Sequence, residues 1–310
     1  MRVAIIGGTG LVGRNVAAAL EGAGHQVVIA ARRDVGERER EATRPFRAID
    51  VMQAATLEAA LDGCDAAVSC FDALRQTEEA TFHDVHVRGV GNLLSACRAR
   101  KVRRLVHLSS LSARPSSKSA FHRTKFAGEE LVRRATVEFT VLRPSVIFGP
   151  GHDFVNPLAR LLRKIPVAPL PGAGTALLQP IAVTDVALAI ARALAEPARA
   201  VGKRFDLCGP EPLTIAEVYD RVLGGMGIRR PRVRVPYLVI EPLTHFFGTF
   251  PGAHFSFDQL AILEEERPGD PSPAVEALGL RLEAFTAESV RRALLPPGDL
   301  AEPWQVASRR

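Results

Sequence analysis

The chain has 310 residues, 47% of them hydrophobic and 24% charged, with a formal net charge of +6. That apolar content at this length supports a sizeable core without disulfides or metals, and it excludes a disordered, collagen-like or disulfide-scaffold chain. The basic balance admits an acidic ligand, but the arginines are scattered and not interleaved with aromatics, so nucleic acid is not an expected partner.

The N-terminal run Val3–Ile6 reads as a first strand that turns glycine-rich at once, which is unlike a signal peptide. A helix follows, with Val12, Val16 and Leu20 on one face and Gly22 and Gly24 at its end. Gln26–Ala31 and Phe46–Ile49 read as strands, 57–61 as helical, and Ala66–Cys70 as a strand. A long helix is expected from about Thr81 to Arg100, its stripe formed by Val87, Val90, Leu94 and Cys97. Leu105–Leu108 and Phe139–Leu142 are further strands, separated by a helix across Phe121–Ala135. Strands alternating with helices of this length imply right-handed crossovers and a doubly wound parallel α/β sheet.

Past Pro144 the texture changes and proline becomes frequent. A helix is expected over Asp185–Leu194, capped by Thr184 or Asp185, and a strand over Arg204–Leu207. Residues 1–148 therefore read as a nucleotide-binding core and 149–310 mainly as a substrate-side cap, with about 176–208 returning to the core. No run reaches the ~18 uncharged apolar residues of a membrane span. Cys64, Cys70, Cys97 and Cys208 lack the spacing of a zinc site, and they fit a reducing, cytoplasmic setting with no metal.

The segment Gly7-Gly8-Thr9-Gly10-Leu11-Val12-Gly13 joins the first strand to the first helix. There the backbone must turn tightly, approach a pyrophosphate and offer helix N–H groups to its charge. Gly7, Thr9, Gly10, Leu11, Val12 and Gly13 are thus candidate dinucleotide contacts. The second strand ends in Ala30-Ala31-Arg32-Arg33. Guanidinium groups accept a 2′-phosphate that a carboxylate would repel, so NADP(H) is preferred, with NAD(H) admitted. Asp50, with Val51 beside it, is placed after the third strand to meet the adenine or to cap the next helix.

Together with Leu108-Ser109-Ser110, Phe121-His122-Arg123-Thr124-Lys125, the run from Leu142 to Gly151, and Gln179–Val186, the glycine loop resembles the extended or atypical short-chain dehydrogenase/reductases. Pro166–Gly174 followed by Gln179-Pro180 looks most like the branch holding the nucleotide-binding accessory subunit of respiratory complex I. The resemblance implies a Tyr-x-x-x-Lys pair, in which Tyr exchanges a proton and Lys binds the nicotinamide ribose. It further implies that Pro144 and Val146 lie along the cofactor, that Leu111, Phe121 and Phe148 line the substrate pocket, and that long core helices pair two subunits.

Here Phe121 stands at the Tyr position, while Lys125 is retained. The position of the substrate-orienting Ser falls near Leu111, leaving Ser110 or Ser112 as substitutes, and the Asn of the long helix is His86. Losing a general acid costs ~10²–10⁴ in rate, so orthodox ketone reduction is disfavoured. The first expectation is hydride transfer to a quinone or conjugated acceptor, with Lys125 and Ser110 as catalytic residues and a small lipophilic substrate as partner. Phe246, Phe247, Phe250, Phe255 and Phe257 either line its pocket, meet a membrane or partner, or pack the cap. The alternative is a non-catalytic NADP(H)-binding assembly or redox-sensing module. Nucleotide-sugar epimerisation ranks last, because it most needs the missing base.

Overall fold

The computed structural model describes residues 1–32, 44–77, 80–151, 154–236 and 265–295. Strand β1 (Arg2–Ile6) leads into α1 (Leu11–Gly22), β2 (Gln26–Ala31), β3 (Phe46–Ala48), α2 (Ala54–Leu61) and β4 (Ala66–Ser69). A π turn over Asp84–Arg88 runs into α3 (Gly89–Ala99), followed by β5 (Arg104–Leu108), α4 (Ala120–Arg134) and β6 (Glu138–Pro144). Next come β7 (Ile147–Phe148), α5 (Val155–Lys164), β8 (Ala168–Pro171), β9 (Leu177–Leu178), β10 (Ile181–Ala182), α6 (Val183–Ala195), α7 (Pro197–Ala200) and β11 (Lys203–Leu207). The remaining described elements are β12 (Leu213–Thr214), α8 (Ile215–Met226), β13 (Arg232–Val235), α9 (Ser272–Leu278) and α10 (Ala287–Ala293).

Seven strands form one parallel sheet in the order β11-β6-β5-β4-β1-β2-β3. The fold is doubly wound, as the alternation implies. The chain winds outward from β1 to β3, then crosses back to β4 on the other side of β1. The strand order therefore reverses between β1 and β4, and a crevice opens beyond their C-terminal ends.

Two-residue periodicity assigns the faces. Val3 and Ile5 of β1 join Val16 and Leu20 of α1 and Ile190 and Leu194 of α6 in one apolar cluster. Ala4 and Ile6 join Leu57 and Leu61 of α2 and Leu93 and Cys97 of α3 on the other face. Each fully buried Leu or Ile contributes about 1.5–3 kcal/mol. Ala274, Leu278 and Leu280, in and just after α9, also lie against the first face. A third cluster gathers Phe148, Phe154, Leu158, Leu162, Val222 and Phe285 from the C-terminal elements.

Two local expectations differ from the structure. The long helix opens in a π turn, and its buried line runs through His86, Val90, Leu93 and Cys97, while Val87 and Leu94 are only half-buried. Neither Thr184 nor Asp185 caps α6, whose N-cap is Ala182. Asp185 instead accepts the Glu283 N–H at 2.7 Å, tying α6 to the C-terminal segment. Among the described residues no helix is long and apolar enough to cross a membrane. The four cysteines are unpaired. The Phe246–Phe257 cluster and Arg33 lie outside the described residues.

Candidate functional site

The glycine loop sits at the mouth of the crevice, and two of its glycines are required there. Gly7 has φ +88°, and a Cβ on it would stand 2.7 Å from the Phe71 backbone nitrogen. A Cβ on Gly13 would overlap the Gly7 carbonyl and stand 2.6 Å from Gly8 Cα, so only glycine lets α1 pack against the loop. The front of the loop is open: Gly10 is exposed, and Thr9, Leu11 and Val12 are half-buried. Helix α1 starts after Gly10 with no side-chain cap and no acid in its first turn. Its N–H groups and partial positive charge thus suit a pyrophosphate. These features fit a dinucleotide.

At the end of β2, Arg32 is exposed and has no hydrogen bond or ion pair among the described residues. Asp50 is turned to local work: Oδ1 accepts the Met52 N–H at 2.9 Å and Oδ2 accepts from Gln53 at 3.4 Å. Val51 is buried, its carbonyl accepting from Asn92 at 2.9 Å.

On the other side of the crevice, α4 carries Phe121 and Lys125 onto the ends of β4 and β5. Phe121 is buried, edge-on to Phe82, His86 and His122 at ring separations of 5.7, 5.2 and 5.4 Å. No hydroxyl is present at this position. The Lys125 ammonium is almost fully enclosed; it lies 3.2 Å from Asp72 Oδ2, donates to the Leu108 carbonyl at 3.1 Å, and stands 5.8 Å from the Phe121 ring centre. Asp72 Oδ1 in turn lies 2.7 Å from His86 Nε2, and His86 Nδ1 lies 2.9 Å from Thr124 Oγ1. Burial pushes the His86 ring down, more than the neighbouring Asp72 carboxylate raises it. Burial works to raise the Asp72 carboxyl, but Lys125 and His86 outweigh it and hold the group well below the usual carboxylate range. Gly128 lets α4 press onto the π turn, because a Cβ there would overlap the His86 carbonyl. His86 itself lies in the π turn, which sequence periodicity does not signal.

The other expected residues separate. Ser110 and Leu111 are buried just beyond β5, Leu111 N–H donating to the Pro144 carbonyl at 2.9 Å. Pro144 is the last residue of β6 and Val146 lies just beyond it, its carbonyl accepting the Ile181 N–H at 2.9 Å. Phe148 instead stacks edge-on against Phe285 at 4.9 Å, inside the third apolar cluster. Ser112 donates to Glu266 at 3.0 Å and accepts the Arg267 N–H at 3.0 Å. Beside it Glu265 pairs with Arg114 and accepts from Ser117 at 3.0 Å. The stretch 265–267 thus covers the loop after β5, and its two acids carry no sequence signal of that role. Asp72 belongs to no motif either, although it closely follows an apolar run that ends at a parallel strand's C-terminus, where ligands bind.

Residues 3–208 match the NAD dependent epimerase/dehydratase family. The chain belongs to that family. Among its relatives is the 40 kDa subunit of mitochondrial NADH-ubiquinone oxidoreductase from Neurospora crassa, 28% identical over 77% of this chain and 64% of that protein. Another is the mitochondrial NADH dehydrogenase [ubiquinone] 1 alpha subcomplex subunit 9 of Mus musculus, 29% identical over 93% of this chain and 79% of that one. The chain spans slightly less than two thirds of the Neurospora protein. UDP-glucose 4-epimerase from Thermus thermophilus, solved with NAD, superposes with a TM-score of 0.70 at 21% identity, covering 94% of this chain and 97% of that one. That likeness is one of fold.

The chain is thus a member of this family with a Rossmann-like core, and its relatives include subunits of mitochondrial NADH-ubiquinone oxidoreductase. Two expectations are corrected by the relatives' names. A small lipophilic substrate does not hold first place among the partners, because the relatives are subunits of a larger assembly. The cytoplasmic expectation is withdrawn as well, since those relatives are mitochondrial proteins.

Proposed function

We propose that this chain binds NADP(H) as a non-catalytic module of a protein assembly. Phe121 carries the reading: a hydrocarbon ring, wedged among Phe82, His86 and His122, stands where alcohol–carbonyl exchange would need a hydroxyl. His86 does not replace it, since it is bonded on both ring nitrogens to Asp72 and Thr124. The glycine loop and Lys125 are kept, which supports binding without that chemistry. Arg32, exposed at the end of β2 and unpaired among the described residues, supports the 2′-phosphate of NADP(H) over the bare ribose of NAD(H). The relatives' names support assembly with protein subunits as the setting.

Titration of the purified chain with NADPH and NADH, followed by NADPH-consumption assays with ketones, enones and quinones, tests this. Tight NADPH binding with no consumption is the expected result. Consumption with a quinone that collapses in Lys125→Ala overturns the non-catalytic reading and restores hydride transfer to a delocalised acceptor.

A further inference from the structure

The crevice lies between β1 and β4, with the glycine loop at its centre. If Arg32 and Asp50 mark the adenosine side over β2 and β3, the nicotinamide half runs the other way, across the ends of β4 and β5. There it would meet Asp72 and Lys125. Phe71, the residue before Asp72, backs onto Gly7 itself, so the carboxylate stands one residue from the loop wall.

The charge at this end comes from two groups. Lys125 is 4% exposed and has no hydroxyl partner on Phe121, whereas Asp72 keeps 37% of its side-chain surface open. The carboxylate is shared between the ammonium at 3.2 Å and the His86 ring at 2.7 Å. The oxidised nicotinamide ring carries a positive charge and the reduced ring carries none. An enclosed ammonium by itself would repel the oxidised ring, and a carboxylate paired to it cancels that repulsion.

We propose that Asp72 is a positioning and charge-balancing residue that keeps the site tolerant of oxidised as well as reduced dinucleotide. The inference rests on the NADP(H)-binding reading, and it makes the bound protein report occupancy of both redox forms rather than NADPH alone. Nothing is transferred in this role; only the relative affinity of the two forms is set. The retained lysine holds the ligand, and the carboxylate keeps it from selecting by ring charge.

Calorimetric titration of the full chain with NADP⁺ and with NADPH, the latter also followed by nicotinamide fluorescence, reads the ratio of the two dissociation constants. In Asp72→Asn the ratio of NADP⁺ to NADPH Kd is expected to rise roughly tenfold, on the scale of one uncompensated charge several ångströms away. Lys125→Met is expected to move the ratio the other way, and the double variant to return near the wild-type value. Asp72→Glu, which keeps the charge, keeps the ratio. A residue that merely held the fold would weaken both forms alike, so an unchanged ratio in Asp72→Asn overturns the inference while leaving the binding reading intact. If Asp72→Asn does not fold, as judged by circular dichroism, the ratio in Lys125→Met decides, and no change there overturns the inference equally. A wild-type chain that binds neither form overturns the binding reading and this inference with it.

Discussion

Glu129 on α4 and Arg143 on β6 form a buried, two-pronged ion pair, with Nε to Oε2 at 2.8 Å and Nη2 to Oε1 at 3.0 Å. Glu129 is fully enclosed, and Ser109 donates to it at 3.0 Å while Arg204 of β11 lies 3.5 Å away. This pair ties the helix that carries Phe121 and Lys125 to the sheet. Removing one partner strands the other charge. Glu129→Ala is expected to cost about 3–5 kcal/mol, measured by urea denaturation. Glu129→Gln keeps the hydrogen-bonding shape and costs less.

The glycine loop separates binding from folding. Gly13→Ala drives a methyl group into the Gly7 carbonyl and to 2.6 Å from Gly8 Cα, both backbone. It is expected to lower stability and to abolish NADPH binding by calorimetry. Gly22→Ala is the contrasting case, because nothing lies within 4 Å of a Cβ there and the position is helical. That variant should gain about 0.5–1 kcal/mol and bind NADPH unchanged.

Arg32 tests the cofactor preference. Its guanidinium is exposed and unengaged among the described residues, so Arg32→Ala disturbs no described contact. Loss of a charge-assisted bond to the 2′-phosphate is expected to weaken NADPH about tenfold or more, with NADH affinity within about twofold of the wild type. Equal loss for both cofactors would defeat the assignment.

Asp185 sets a pH dependence. Burial, more than the hydrogen bond from Glu283 can offset, pushes its carboxyl from 3.8 up to about 6. The unfolded chain therefore ionises first. Folding is penalised increasingly as pH rises from about 4 to about 6, and the penalty is constant above that. Asp185→Asn escapes this cost and can still accept the Glu283 N–H. Its stability relative to the wild type is expected to improve by on the order of 2 kcal/mol between pH 4 and pH 7, read from denaturation midpoints across that range. A flat difference would show that Asp185 titrates normally.

The bounds of β2, the α1 stripe and the glycine loop were legible in the sequence because each depends on local rules: alternation, helical period and the freedom of glycine. Phe121 was legible too, since a missing hydroxyl needs no coordinates. The fate of the long helix was not. His86 rather than Val87 lies on its buried line, because the polar contacts of His86 with Asp72 and Thr124 let it be buried, and hydrophobic period cannot register a buried polar residue.

The doubly wound alternation, the glycine-rich turn after β1 and the phenylalanine at position 121 are all readable along the chain. Long-range packing is what brings Asp72 to Lys125, Glu265 and Glu266 over the loop after β5, and Phe148 into the C-terminal core. Those pairings join residues far apart in the chain. They depend on where right-handed crossovers bring strand ends and helix faces together, which local patterning leaves open.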